Sequence, residues 1–125
     1  MAKYIADAAM DLALAKIATC THLNFCVTQP ANYAAIAGVS KANVTLTAGV
    51  GSGDYTAADG DTSGRKLTVL EQTGIVPTAN GDVTYAVLDD GTTLLAAVLI
   101  TTKTVATTET WTSPAFDVWE IRDPA

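Results

Sequence analysis

The pattern of apolar and polar positions predicts one helix near the start of the chain. Over residues 3–18, Met10, Leu14 and Ile17 recur at i, i+4 and i+7, which is the spacing of one helical face. A second apolar strip that includes Leu12 lies beside this face. Because the apolar arc is wide, we predict a helix that is covered on more than one side, by the sheet and by a partner. The alternative is that its many alanines tolerate exposure.

Residues 22–121 have the pattern of a β domain, because short runs alternate between apolar and polar residues and are separated by turn-forming residues. The predicted strands lie within residues 22–28, 41–48, 65–71, 82–101 and 115–121, with a short helical segment in residues 31–37. Residues 49–64 contain five glycines and no apolar period, so we predict a long loop there.

The longest apolar stretch, residues 82–101, is predicted to be a hairpin. Asp90 and Gly91 divide it into two β-prone halves, and Asp-Gly is a frequent two-residue hairpin turn. That turn places Val87 opposite Leu94. The second half is apolar on both faces, which is typical of a central strand covered on each side.

Together these elements predict an α+β fold, with an N-terminal helix packed on a mainly antiparallel β-sheet or sandwich of roughly six to eight strands. The chain of 125 residues is long enough for a core of its own, so we expect a single domain over residues 1–125. Thr and Ala are its most frequent residue types, and only 16% of its residues are charged. Much of the surface must therefore be neutral, which is common on ordinary β proteins and also suits a subunit buried against its neighbours.

Charge and hydropathy exclude two classes of partner. The net charge is −6, and the seven Lys and Arg residues are scattered, with only Arg65 and Lys66 adjacent. Nucleic-acid binding needs clustered cations, so we expect no nucleic-acid partner. Asp7 and Asp11 interrupt the apolar start of the chain, which we therefore assign to the mature fold. No run approaches the roughly 20 apolar residues of a membrane span, so we expect a soluble protein without a membrane partner.

Two clusters of metal-ligating residue types are incomplete. Residues 59–64 match the first half of a calcium-binding EF-hand loop, but Leu70 stands where the bidentate glutamate is required. Cys20, His22 and Cys26 could supply three zinc ligands, but no fourth is evident. We predict no metal site and no cofactor. The two cysteines are expected to be free thiols in a reducing cytoplasm, and a disulfide is the alternative.

No catalytic constellation is evident. None of the four serines lies in a G-x-S-x-G motif, and His22 is the only histidine. The glycine-rich run over residues 49–53 lacks the lysine and the following helix of a phosphate-binding loop. We therefore predict no catalytic residue and no enzyme activity.

Large apolar side chains are the remaining candidates for contact with partners. Trp111, Trp119 and Ile121 lie in or near the last strand, and Tyr55 lies in the predicted loop. Aromatic residues are enriched at protein interfaces, so we take these four as interface candidates. The alternative is that the tryptophans complete the core.

Four stretches carry a family resemblance: ADAAMDLALAKI, ADGDTSGRKLTV, VTYAVLDDGTTLLAAV and the terminal FDVWEIRDPA. With them the chain resembles small structural proteins of tailed bacteriophages. The resemblance implies a virion protein without enzyme activity, synthesised in the cytoplasm of the bacterial host. It further implies a capsid decoration (cement) protein on the capsid surface, whose partners are the major capsid protein and copies of itself.

Other assignments remain open from the sequence. A neck, collar, tail or fibre-associated virion protein would fit the same composition. From the residues alone, a carbohydrate-binding β module is a further alternative, in which Tyr55 and a tryptophan form a platform for a sugar ring.

Overall fold

One helix precedes the strands, and its apolar spacing determines which side it buries. The computed structural model describes residues 5–122, and helix α1 spans Asp7–Ile17. It begins later than predicted because Ala6, the N-cap residue, has an extended backbone; residues 3 and 4 lie outside the described residues. The buried residues of α1 are those of the predicted face, namely Met10, Leu14 and Ile17.

The second apolar strip of α1 is not covered. Leu12 is 75% exposed and Ile5 is 41% exposed. The prediction of a helix covered on more than one side is therefore wrong for this chain on its own. The sheets occupy one side of α1, which packs mainly against a single strand spanning Arg65–Val69.

The rest of the described chain is mostly β-structure, which confirms the α+β class. The strands are β1 (His22–Cys26), β2 (Ser40–Thr45), β3 (Tyr55–Asp59), β4 (Arg65–Val69), β5 (Gln72–Ile75), β6 (Gly81–Asp89), β7 (Leu94–Val105), β8 (Trp111–Ser113) and β9 (Phe116–Ile121). Between β1 and β2 lie a 3-10 turn, Tyr33–Ala35, and a short helix α2, Ile36–Val39.

Three antiparallel sheets form the β part. Their strand orders are β2-β1-β6-β7, β3-β4-β9 and β5-β8. One core joins the two larger sheets and α1, since its buried side chains come from all three; the largest are Tyr55, Phe25, Leu14, Leu23, Leu67 and Leu88. The nine described strands exceed the predicted number because β3 lies inside the predicted loop.

The predicted loop over residues 49–64 is wrong over residues 55–59, which form a strand. Tyr55–Asp59 pairs with Arg65–Val69, so residues 60–64 are only the turn between β3 and β4. Gly64 has φ +70, and a Cβ there would overlap the carbonyl oxygen of Ile121. The turn therefore needs glycine at this position. The glycines and aspartates of this segment have the composition of a loop, so the β3–β4 hairpin was not predicted from the sequence.

The central hairpin is present, but its register differs from the prediction. Val87 lies opposite Ala97, whereas a two-residue turn would place it opposite Leu94. The loop is longer because Asp90 Oδ1 accepts hydrogen bonds from the backbone N–H groups of Thr92 (3.0 Å) and Thr93 (2.8 Å). The longer loop shifts the pairing by two residues, and a bulge between Leu88 and Asp89 adds a third. Over Ala96–Leu99 the side chains of β7 therefore lie on the opposite face from the predicted one.

Strand β7 is not the central strand that its apolar sequence predicts. It lies at the edge of the four-stranded sheet, with β6 as its single neighbour. Most of its apolar residues are half-buried, and Leu99 is 71% exposed. The described residues cover part of each face, because Leu95, Ala96 and Ile100 pack against the main core and Leu94 and Ala97 pack against a second cluster on the other face.

Candidate interaction surface

The two larger sheets have four edge strands, and two of these edges are covered by other parts of the chain. On the β2 edge, the N–H groups of Thr78 and Ala79 donate to the carbonyl oxygen of Lys41, at 2.8 and 3.4 Å. On the β3 edge, the N–H of Gly51 donates to the carbonyl oxygen of Tyr55 at 2.8 Å. Such covering hides the unpaired backbone groups of an edge strand.

The β9 edge is protected by its sequence. The strand is short, and Pro114, which has no N–H, precedes it. Asp117 and Glu120 lie within it, and a bulge interrupts its pairing with β4. Short length, charge, proline and bulges are the usual features that prevent an edge from pairing with another chain.

The β7 edge has little charge and no proline, but its pairing with β6 shifts register at Leu94–Ala96 and at Leu99–Lys103. Leu94–Val105 is the longest described strand, and Lys103 is its one charged residue. Lys103 makes no ion pair with any residue in the described part of the chain. Every second residue of a regular edge strand directs its N–H and C=O away from the sheet, so β7 offers outward donors and acceptors within its regularly paired parts, Ala96–Leu99 and Lys103–Val105.

A groove runs beside this edge. Its volume is about 330 Å³, and it is lined by Val98–Thr101 on one side and residues 111–117 on the other. Apolar side chains dominate the lining, including Val98, Ile100, Trp111 and Phe116. We call this groove and the free edge of Leu94–Val105 the β7 surface. It can receive an extended segment, with backbone hydrogen bonds along the edge and apolar side chains in the groove.

The four interface candidates differ in how far they are exposed in the structure. Trp119 is 47% exposed and lies on the surface. Trp111 is half-buried, and its ring meets Phe25 edge-on at a centroid distance of 4.3 Å, so it completes the core beside the groove. Ile121 also packs against the core, because the bulge near Val118 interrupts the strict alternation of β9.

The expectation that Tyr55 lies in an exposed loop is wrong. Its side chain is fully buried, and its hydroxyl donates to the carbonyl oxygen of Cys20 at 2.7 Å. Burial raises the pKa of this phenol well above its ordinary value, so the hydroxyl remains a donor. Tyr55 therefore belongs to the core and is not accessible as a platform for a sugar.

Cys20 and Cys26 are both free and fully buried. They lie in different clusters of buried side chains, Cys20 in the main core and Cys26 with Ile36 and Val87 on the other face of the sheet. Burial raises the pKa of Cys20 to about 12 and that of Cys26 to about 11. Both side chains are therefore neutral thiols that pack as small apolar groups.

The acidic turn between β3 and β4 is held by ion pairs. Asp59 Oδ1 lies 3.0 Å from Arg65 Nη1, and Asp61 Oδ1 lies 2.9 Å from Lys66 Nζ. Arg65 also contacts Asp11 of α1 at 2.9 Å. These hydrogen-bonded carboxylates raise the pKa of both cations. Among residues 5–122 no three His, Cys, Asp or Glu side chains are placed to hold a metal ion.

A polar cleft of about 620 Å³ lies on the outer face of the four-stranded sheet. At its floor, the buried Asp89 accepts hydrogen bonds from Asn24 Nδ2 at 2.6 Å and from the Gly91 N–H at 2.9 Å, and His22 Nδ1 lies 3.4 Å away. Protein donors thus surround this carboxylate and tie it to the hairpin loop. We therefore infer that Asp89 stabilises the fold and is not part of a binding site, since a buried carboxylate needs such partners.

Sequence reasoning missed the β7 surface. The available signal was the apolar run in β7 with a single charge, which we took as evidence of burial within the chain. Edge position depends on the order of strands in the sheet, and that order is not local information.

Comparison with known proteins gives no match to any family, curated protein or solved structure. Within the described residues, no helix has the length and apolarity needed to cross a membrane.

Proposed function

We propose that this protein is a non-enzymatic structural component of a tailed bacteriophage particle. The specific role we propose is that of a capsid decoration (cement) protein, bound to the outer surface of the major capsid protein lattice and to its own copies. It would be synthesised in the cytoplasm of the bacterial host and would act in the virion.

The observation that carries this proposal is the β7 surface. Three of the four edges are covered, charged or short, whereas Leu94–Val105 is the longest described strand, is apolar from Leu94 to Ile100 and contains one charged residue. Proteins that act alone avoid such an edge because it promotes association. A subunit of a large assembly uses one, because backbone pairing and apolar contact together hold neighbouring chains.

Further support comes from the other exposed apolar side chains. Leu12 on α1, Val76 after β5 and Trp119 on β9 are 75%, 60% and 47% exposed. They lie on different elements, as expected for a subunit with several neighbours. Single exposed apolar residues are common on any protein, so these positions support the proposal only together with the open edge.

The test is electron cryo-microscopy of intact particles from a source phage, with this chain fitted to the density. We expect regular copies on the outer surface of the capsid, with Leu94–Val105 in contact with a neighbouring chain. Copies confined to the neck, collar, tail or fibres would replace the decoration role with one of those virion roles. Absence from the particle would overturn the proposal.

A further inference from the structure

We infer that the polar cleft on the outer face of the four-stranded sheet binds a neutral sugar. The cleft is separate from the β7 surface, and the inference goes beyond the proposed function without depending on it. The cleft has a volume of about 620 Å³. Small-ligand sites usually have volumes of about 300–1,000 Å³, so the cleft is large enough for such a ligand.

Strand pairing explains why part of this sheet face is polar. His22 of β1 lies opposite Thr45 of β2 and Asp89 of β6. Two residues further along β1, Asn24 lies opposite Asn43. Residues directly opposite each other share a face, and so do residues two apart on one strand. The register therefore directs these five polar side chains to the same part of the outer face.

The adjoining part of this face is apolar and is covered. Cys26 and Val87 lie there, and Ile36 of α2 packs on them. The 3-10 turn that precedes α2 therefore lines the cleft beside the polar side chains, and Tyr33 in this turn is 42% exposed. An exposed aromatic ring next to polar groups offers an apolar surface to the C–H groups of a sugar.

The observation that points to a ligand is the side chain of Asn24. It is only 7% exposed and lies at the floor of the cleft. Its Nδ2 donates to Asp89 Oδ2 at 2.6 Å and to the carbonyl oxygen of Val87 at 3.5 Å. Both partners are acceptors, so the amide nitrogen must face them, and the amide oxygen must face the other way.

Asn24 Oδ1 is therefore an acceptor that the fold leaves unused. It receives no hydrogen bond from any of residues 5–122, and it is not sealed inside the protein. A polar atom in such a largely buried position is costly unless a donor meets it. A ligand hydroxyl that enters the cleft can donate to this oxygen. Asp89 has its own partners and only fixes the orientation of Asn24.

The other groups of the cleft favour a neutral polyol. The described residues that line it include no lysine or arginine, so an anion such as phosphate has no permanently charged partner. Asn43 and Thr45 are exposed, and their side chains make no hydrogen bond within residues 5–122. A sugar presents several hydroxyls that both donate and accept, which matches this mixture of amide and hydroxyl groups.

The first test is a titration of the full chain with neutral sugars, followed by heteronuclear NMR. The probes are glucose, galactose, mannose, N-acetylglucosamine and N-acetylgalactosamine, with inorganic phosphate as the charged probe. We expect at least one sugar to shift the backbone amides of β1, β2 and Tyr33–Ala35 in a saturable way, with a Kd on the order of 1 mM for a ligand of this size. Phosphate should not do so. Saturable binding of phosphate at the cleft, or of none of these sugars there, would overturn the inference.

The second test uses variants to assign the contact to the cleft. Asn43→Ala and Thr45→Ala each remove a polar partner, and Tyr33→Leu removes the aromatic ring but keeps apolar bulk. We expect each to weaken sugar binding by at least roughly tenfold. Thr102→Ala is the matched control, because Thr102 is an exposed strand threonine outside the cleft. It should leave binding unchanged.

These variants avoid Asn24, whose amide also holds Asp89. The substituted residues are exposed, so urea unfolding of each variant should match that of the wild type. Sugar binding that survives both Asn43→Ala and Tyr33→Leu would place the ligand elsewhere and contradict the inference. A chain that is present on particles but binds none of the sugars would overturn the sugar site and leave the virion role intact. Sugar binding by a chain absent from particles would do the opposite.

Discussion

At the scale of single residues, the side chain of Tyr55 joins three parts of the structure. It belongs to β3, it is buried in the main core, and its hydroxyl donates to the carbonyl oxygen of Cys20 between α1 and β1. A buried hydroxyl without a partner is costly, and here the partner is a backbone group of another element. The contact therefore links the three-stranded sheet to the segment that leads into the four-stranded sheet.

Removing this hydroxyl should destabilise the protein. We expect Tyr55→Phe to lower the free energy of unfolding by about 1–2 kcal/mol, because a buried hydrogen bond is lost without creating a cavity. Urea unfolding followed by far-UV circular dichroism measures the change. Tyr33→Phe is the matched control, since Tyr33 is 42% exposed and its hydroxyl makes no hydrogen bond within the described residues. Equal effects of the two changes would contradict the assignment of Tyr55 to the core.

At the scale of elements, the loop of the β6–β7 hairpin depends on one carboxylate. Asp90 Oδ1 accepts from the N–H groups of Thr92 and Thr93 and from the Thr92 hydroxyl. The hydrogen bonds from the Thr92 and Thr93 backbones lower the pKa of Asp90 below its ordinary value. This carboxylate, rather than the Asp-Gly dipeptide alone, holds the longer loop, and the bulge between Leu88 and Asp89 then sets the register of β7 beyond it.

The lowered pKa has a predictable effect on stability. A group whose pKa is lower in the folded state stabilises the fold above its unfolded pKa of about 4, and that contribution is lost as the pH falls through the folded pKa. We expect Asp90→Asn to be less stable than the wild type at neutral pH, and the difference to shrink as the pH falls below about 4. Urea unfolding across this range measures the difference. A difference that is independent of pH would contradict the role of the charge.

At the scale of the whole molecule, the two tryptophans differ in role, and Trp119 is the one at the surface. It is 47% exposed on β9, whereas Trp111 packs on Phe25 in the core. If copies of this protein bind a particle through several surfaces, an exposed tryptophan is a strong candidate for an anchor, because tryptophan is enriched among the residues that dominate binding energy.

We expect Trp119→Ala to weaken binding to particles by at least roughly tenfold while the isolated chain stays folded. The measurement is rebinding of purified variants to particles stripped of this protein, with urea unfolding as the check on the fold. Val50→Ala is the control, because Val50 is 45% exposed and is not among the proposed contact positions. A Trp119→Ala chain that unfolds easily would assign this tryptophan to the core.

Several features could be predicted from the sequence because they depend on local spacing. The buried face of α1 follows from apolar residues at i, i+4 and i+7, and Met10 and Leu14 are buried there. The hairpin over residues 82–101 follows from two β-prone runs separated by turn residues. The α+β class then follows from one helix and many short strands, since each must bury its apolar side against another element.

The features that form the interaction surface were determined only by the tertiary structure. Whether the apolar strand β7 is central or at an edge depends on the order of strands in the sheet, which brings distant segments together. Its register depends on the hydrogen bonds of Asp90 and on the bulge between Leu88 and Asp89. The burial of Tyr55 depends on contact with Cys20, a distant residue in the sequence. The sequence by itself determined which elements form, because periodicity is local. The three-dimensional packing decided which of them remained without cover, because burial is a property of neighbours in space.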